Sequence, residues 1–133
     1  MDLTIGQVAA RTGLSVHTLR LYEREGLLYT EVRRDAAGRR LYGQPDLDWL
    51  DVCTKFRASG MPLSAIRRFA ELVRQGAGNE AERLELLRAH RDLVEGRIKE
   101  LHDCLVLIEG KVATYEEHLS RGTAAALWTG DGG

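Results

Sequence analysis

The stretch TIGQVAARTGLSVHTLRLYEREGLL, residues 4–28, decides how the rest of the chain is read. Thr4 is placed to cap a helix over Ile5–Arg11, and Gln7 stands at the third helical position, the spacing of a capping box. Ile5, Val8 and Ala9 form the apolar face of that helix. Gly13, Leu14 and Ser15 make a tight turn: glycine permits a positive φ, Leu14 points inward and Ser15 caps the next helix. The second helix covers Val16–Arg24. Val16 and Leu19 face the core, joined by Tyr22 or the stem of Glu23, while His17, Thr18, Arg20 and Arg24 remain outward. Gly26 ends it. Two short helices across a glycine turn predict a helix-turn-helix, whose second helix enters a DNA major groove. The plainer alternative is an αα-hairpin with solvated charges.

Working outward, Leu28–Val32 and Arg39–Tyr42 flank an Asp- and Gly-containing turn and predict a β-hairpin. Four arginines cluster on it: Arg33, Arg34, Arg39 and Arg40. Beside a helix-turn-helix, an Arg-rich hairpin reads as a wing that grips phosphates; otherwise it is a solvated loop. Pro45 opens a third helix, Asp46–Ser59, with Trp49, Leu50, Cys53 and Phe56 as its apolar stripe. Pro62 opens a fourth, Leu63–Gln75, facing the core with Ile66, Phe69, Ala70 and Val73. The glycine-rich segment 75–79 is the clearest break.

Beyond it lies an apolar stripe in steps of three and four: Leu84, Leu87, Arg91, Val94, Ile98, Leu101, Leu105, Ile108, Val112, Tyr115 and Leu119. A mean spacing of 3.5 residues marks a helix that packs lengthwise on a partner helix. The helix would run about 54 Å. A chain of this size has too little else to cover it, so the stripe reads as a dimerisation seam. Arg91 is its only strongly polar member and is placed to fix register or orientation. Gly96 and Gly110 fall on the face away from a partner. The last segment, SRGTAAALWTGDGG, is expected to be largely disordered, with Trp128 as its one anchor.

The net charge of −1 conceals an asymmetry. Residues 1–78 carry 12 Lys+Arg against 9 Asp+Glu, a balance of +3, whereas residues 79–133 carry 7 against 11, a balance of −4. A basic front fits a polyanionic partner. No apolar run approaches the roughly 18 residues of a membrane span, and the N-terminus lacks a secretory pattern, so a cytoplasmic protein is expected. Cys53 and Cys104 are too few and too far apart for a disulfide framework or a CxxC site. No Ser/His/Asp order, carboxylate pair or phosphate loop stands out, and an enzyme is not expected.

Taken in order, TIGQVAARTGLSVHTLRLYEREGLL, the wing end RRLY (39–42), the helix start PDLDWL (45–50), the joint GMPLSAIRRF (60–69) and the long terminal helix resemble the MerR family of bacterial transcription regulators. The resemblance runs motif by motif over residues 3–75 and by architecture over 79–119. It implies a homodimer whose long helices pair antiparallel. Two winged domains would then sit on a pseudo-palindromic promoter operator, kinking and untwisting the spacer for RNA polymerase. It also implies contacts to backbone or bases from Arg20 and Tyr22, wing contacts to phosphate from Arg40 and Tyr42, and an approach to base edges by His17 and Thr18. The chain departs from the family pattern in two places. Leu21 replaces a frequent aromatic, and Arg39 stands where many members have tyrosine, which adds a charge contact.

Only fourteen residues follow Leu119, so the effector domain of large family members is not expected. The cysteines of metal-sensing members have no counterpart. His90, His102 and His118 read as surface residues flanking the seam, and no metal or other cofactor is expected. Cys53, in CTKFRASGMPL (53–63), resembles the lone cysteine of a branch that responds to aldehydes and other electrophiles. Lys55, Arg57, Arg67 and Arg68 would activate such a thiol if they point at it. The competing reading is an inert core cysteine on the stripe with Trp49, Leu50 and Phe56. Cys104 lies beside the seam and reads as packing.

The expectation is therefore a mainly α protein with a small β-hairpin wing: a winged helix-turn-helix domain at 1–75, a linker at 76–79, a coiled-coil dimerisation helix at 80–119 and a tail at 120–133. Its expected function is that of a homodimeric regulator acting by DNA deformation, with stress-responsive switching at Cys53. The alternative is an architectural DNA-bending module without a sensory role.

Overall fold

A computed structural model describes residues 2–127. The chain divides into two compact units, Met1–Arg91 and Asp92–Gly133. In the first unit, strand β1 (Leu3–Thr4) leads directly into helix α1 (Ile5–Thr12), and α2 (Val16–Arg24) follows one turn later. Strands β2 (Arg33–Arg34) and β3 (Arg40–Tyr42) form the wing. Helices α3 (Gln44–Ala58) and α4 (Leu63–Arg74) complete the globular part. Helix α5 (Glu80–Arg121) begins in the first unit and supplies most of the second.

The capping box forms as read: Gln7 N–H donates to Thr4 Oγ1 at 3.2 Å, and Thr4 N–H donates to Gln7 Oε1 at 2.9 Å. Gly13 takes φ 76°, a conformation that costs a residue with a Cβ about 1 kcal/mol or more. Ser15 caps α2 through the Thr18 N–H at 3.0 Å. These local devices set the angle at which α2 leaves α1.

The sheet differs from the expected hairpin in two ways. It has three strands, ordered β1-β3-β2 and antiparallel throughout, with Leu3 opposite Tyr42 and Arg34 opposite Arg40. Two-residue β1 is too short to show a periodicity of its own. The first wing strand is Arg33–Arg34 rather than Leu28–Val32. Within Leu28–Val32 the chain is committed elsewhere. The Gly26 and Leu28 carbonyls accept from Arg74, and Tyr29 packs on Trp49 with ring centroids 5.2 Å apart.

Leu3, Val8, Leu19, Tyr22, Leu27, Tyr42, Leu50, Cys53, Met61 and Ile66 make one buried cluster. Each fully buried aliphatic side chain in it contributes roughly 1.5–3 kcal/mol relative to exposure. Trp49 stacks on Phe69 at 5.8 Å, Phe69 meets Phe56 edge-on at 5.7 Å, and Trp49 Nε1–H donates to the Leu27 carbonyl at 2.8 Å. Helix α3 starts two residues earlier than expected, at Gln44, with Gly43 N–H donating to Asp46 Oδ2 at 2.8 Å. On α4, Leu72 is buried together with Ile66 and Ala70. Arg83 closes the joint to α5 by bonding Asn79 Oδ1 at 2.7 Å and the Gly76 carbonyl at 2.7 Å.

In the second unit α5 contributes no buried residue and continues two residues past Leu119. His118 Nδ1 lies 2.8 Å from Thr123 Oγ1, and a short 3-10 turn, Ala124–Ala126, follows. The expected disorder therefore does not begin at residue 120. Trp128 lies outside the described residues.

Candidate nucleic-acid interface

Helix α2 sorts its side chains by period. Leu19 and Tyr22 are three apart and go into the core, while His17 and Arg20, also three apart, are exposed. Thr18 is half-buried, and its Oγ1 accepts from the Ser15 hydroxyl at 2.9 Å. The outward face of α2 thus offers His17, Arg20 and Arg24 to a ligand.

The wing is built around Asp35. Its Oδ1 accepts from the backbone N–H of Arg39 and of Ala37, both at 2.9 Å, and its Oδ2 accepts from Arg39 Nε at 2.9 Å. These bonds, led by the Arg39 backbone N–H, hold the Asp35 carboxyl below its ordinary range. Gly38 at φ 79° completes the turn. Arg39 keeps its side chain 75% exposed at the wing tip. At the wing base Arg33 pairs with Asp2 at 2.6 Å, and the hydrogen bond lowers the Asp2 carboxyl and raises the Arg33 guanidinium. Arg40 and Arg34 both reach Glu23 on α2, at 2.5 Å and 3.4 Å. The charges of the wing are therefore not a loose cloud: each of these four arginines has an acidic partner that orients it.

Two expected contact residues lie elsewhere. Tyr22 and Tyr42 are core residues, 6% and 1% exposed, and neither ring is presented to a ligand. Arg40 and Tyr42 share one face of β3, but Tyr42 lies opposite Leu3 in the core while Arg40, two residues earlier, lies opposite Arg34 at the outer end of the strand and stays partly exposed. The Tyr42 hydroxyl is buried and finds no hydrogen-bond partner among the described residues. Burial pushes the ionisation of both phenols up. Glu23, Asp35 and Asp2 escaped the sequence reading because acidic residues carry no signal for a polyanion interface. Their part is to aim the arginines.

Cys53 is fully buried under α3, with Sγ 4.0 Å from the Leu27 carbonyl oxygen. Burial pushes its thiol up to about 12. The four cations expected to activate it are turned to other partners. Lys55 pairs with Asp51, and Arg57 donates to the Met61 carbonyl. Arg67 is held by Glu25, and Arg68 by Glu82. In this conformation Cys53 is a packing residue. Cys104 is exposed.

His90 also departs from its expected place on the surface. Its Nε2 lies 2.7 Å from Ser59 Oγ, and its ring meets Phe56 edge-on. Together with Leu86, which packs on the core cluster, it anchors the first turns of α5. The seam residues occupy a different face of the helix. Leu84, Leu87, Ile98, Leu101, Leu105, Ile108, Val112, Tyr115 and Leu119 are 37–69% exposed. Arg91 is exposed and Val94 half-buried. Among the described residues no cluster of three or more His, Cys, Asp or Glu side chains gathers to hold a metal ion.

Residues 3–72 match the family described as MerR HTH family regulatory protein, and residues 47–106 match the family described as MerR, DNA binding. An uncharacterized HTH-type transcriptional regulator of Haemophilus influenzae is 37% identical over 127 residues, 96% of this chain and 93% of that protein. The crystal structure of HiNmlR, a MerR family regulator lacking the sensor domain, bound to promoter DNA, superposes with a TM-score of 0.84. It is 37% identical, and the match covers 96% of this chain and all of that one. A MerR family transcriptional regulator from Bacillus thuringiensis superposes at 0.74 with 29% identity, over 86% of this chain and all of that one. The winged helix-turn-helix, the long terminal helix and these matches together place the chain in the MerR family of HTH transcriptional regulators.

Proposed function

We propose that the chain acts as a homodimer that binds a pseudo-palindromic promoter operator and controls transcription by bending and untwisting the spacer for RNA polymerase in the bacterial cytoplasm. The observation that carries this reading is the combination, within one chain, of a basic winged helix-turn-helix and a terminal helix with an uncovered apolar seam. Along residues 107–119 that stripe forms an open apolar surface of Leu107, Ile108, Val112, Tyr115 and Leu119, edged by Lys111 and Glu116. A second copy presents a matching stripe, and antiparallel pairing would cover both. The likeness to HiNmlR, crystallised bound to promoter DNA, supports the DNA part.

On the duplex, His17 and Arg20 of α2 reach base edges or backbone, and Arg39 and Arg40 of the wing neutralise phosphates. Cys53 plays no part in this ground conformation. Its burial favours a regulator whose output does not depend on a thiol, which lies closer to the architectural reading than to electrophile sensing. Sedimentation equilibrium combined with footprinting on the chain's own promoter tests the proposal. A dimer protecting the spacer between promoter elements is expected. A monomer at micromolar concentration, or protection outside the promoter, would overturn it.

A further inference from the structure

Glu23, the acidic residue of α2, touches the wing with both of its carboxylate oxygens. Its Oε2 accepts from Arg40 Nε at 2.5 Å, and its Oε1 accepts from Arg34 Nη2 at 3.4 Å. The two contacts are not equivalent. Arg40 and Glu23 are each about three-quarters shielded, at 23% and 26% side-chain exposure, whereas Arg34 is 45% exposed. A short, shielded, charge-assisted bond is strong, and a long exposed one contributes little and yields to a competing anion. Among the described residues Arg34 is otherwise tied to its own hairpin, through the Gly38 carbonyl at 3.0 Å. A carboxylate on a helix meant for DNA also repels phosphate, unless a guanidinium cancels its charge.

We propose that Glu23 is a positioning residue for DNA binding. Its carboxylate clamps the wing to the recognition helix through Nε of Arg40, leaving the Nη groups of that guanidinium for a phosphate, and parks Arg34, which leaves for a backbone phosphate when DNA binds. The clamp fixes the angle between helix and wing, and so favours a duplex whose groove spacing matches it. The inference rests on the DNA-binding reading above.

The test measures the affinity of the full-length dimer for its promoter duplex and for an unrelated duplex as a function of salt. Glu23→Gln keeps the size and one acceptor but removes the charge. It is expected to tighten binding to the unrelated duplex, steepen its salt slope by about one unit, and lower promoter discrimination by about fivefold. Glu23→Asp is expected to restore part of the discrimination. Arg34→Gln, at an exposed site, is expected to flatten the slope by about one unit and to remove most of the effect of Glu23→Gln in the double variant. If Glu23→Gln does not fold, Arg34→Gln alone decides, because an unchanged slope means that Arg34 never reaches a phosphate. Unchanged slope and discrimination in Glu23→Gln would overturn the clamp. A wild-type protein that binds neither duplex would overturn the DNA-binding reading instead.

Discussion

His90 Nε2 sits 2.7 Å from Ser59 Oγ, joining the third turn of α5 to the end of α3. The contact is reinforced by Phe56, which meets the imidazole edge-on at 6.3 Å. A single hydrogen bond of this kind contributes about 1 kcal/mol, and leaving its partner unsatisfied costs more. Ser59→Ala is therefore expected to lower stability by about 1 kcal/mol and His90→Ala by about 2 kcal/mol, the excess being lost packing on Phe56. Denaturant melts followed by circular dichroism read both; equal stabilities would mean the contact carries no net energy.

The burial of Cys53 makes a prediction about pH. Its folded thiol stands at about 12 against an ordinary 9.0, so the unfolded chain loses this proton first as pH rises. The stabilising contribution is full below about pH 9 and declines toward pH 12 with a slope approaching ~1.4 kcal/mol per unit. Cys53→Ala should melt about 1 kcal/mol lower at neutral pH yet show a shallower alkaline decline. An identical decline in both proteins would mean that other groups govern it.

Thiol labelling separates the two cysteines. Cys104 is exposed and Cys53 fully buried. With a maleimide at pH 7.5 Cys104 is expected to react in the native protein and Cys53 only on unfolding. Prompt reaction at Cys53, found by peptide mapping in a Cys104→Ser background, would reinstate it as a sensor candidate.

Tyr42 distinguishes a core role from a DNA contact. Its hydroxyl is buried and unpartnered among the described residues, so Tyr42→Phe removes a desolvated group without opening a cavity. The variant is expected to be as stable as wild type or up to about 1 kcal/mol more stable, with unaltered DNA affinity. Arg20→Ala and Arg40→Ala are each expected to weaken binding and lower the salt slope by about one unit. A slope that responds to Tyr42→Phe and ignores Arg40→Ala would exchange their roles.

The seam on α5 predicts both assembly and orientation. Ile108→Glu places a charge in the middle of the apolar stripe and should shift sedimentation to the monomer. Spin labels at Glu116, in a Cys104→Ser background, should lie far apart in an antiparallel dimer and close together in a parallel one. Arg91→Leu tests whether the polar seam position sets orientation; an unchanged dimer constant and label distance would remove it from that part.

The helix-turn-helix was legible in the sequence because its determinants are local. The Thr4–Gln7 capping box, the positive φ of Gly13 and the Ser15 cap act within one or two turns, and the boundaries of α2 follow from them. The long helix α5 was legible because it repeats one period over many turns. Long-range partnerships were not legible. Strand β1 exists only because Tyr42 and Leu41 lie opposite Leu3 and Thr4. Arg74 takes the carbonyls that would have extended the wing, more than forty residues upstream in the chain. The same reason governs the site. Sequence could name the clustered arginines of the wing, since charge is a property of one residue. Which tyrosines turn inward, which carboxylate aims Arg40, and whether the cations near Cys53 face it depend on packing between distant segments. Tertiary structure alone decided those, and it decided them by desolvation: a phenol or thiol follows the face of its element into the core, while a guanidinium stays at the surface and finds a carboxylate there.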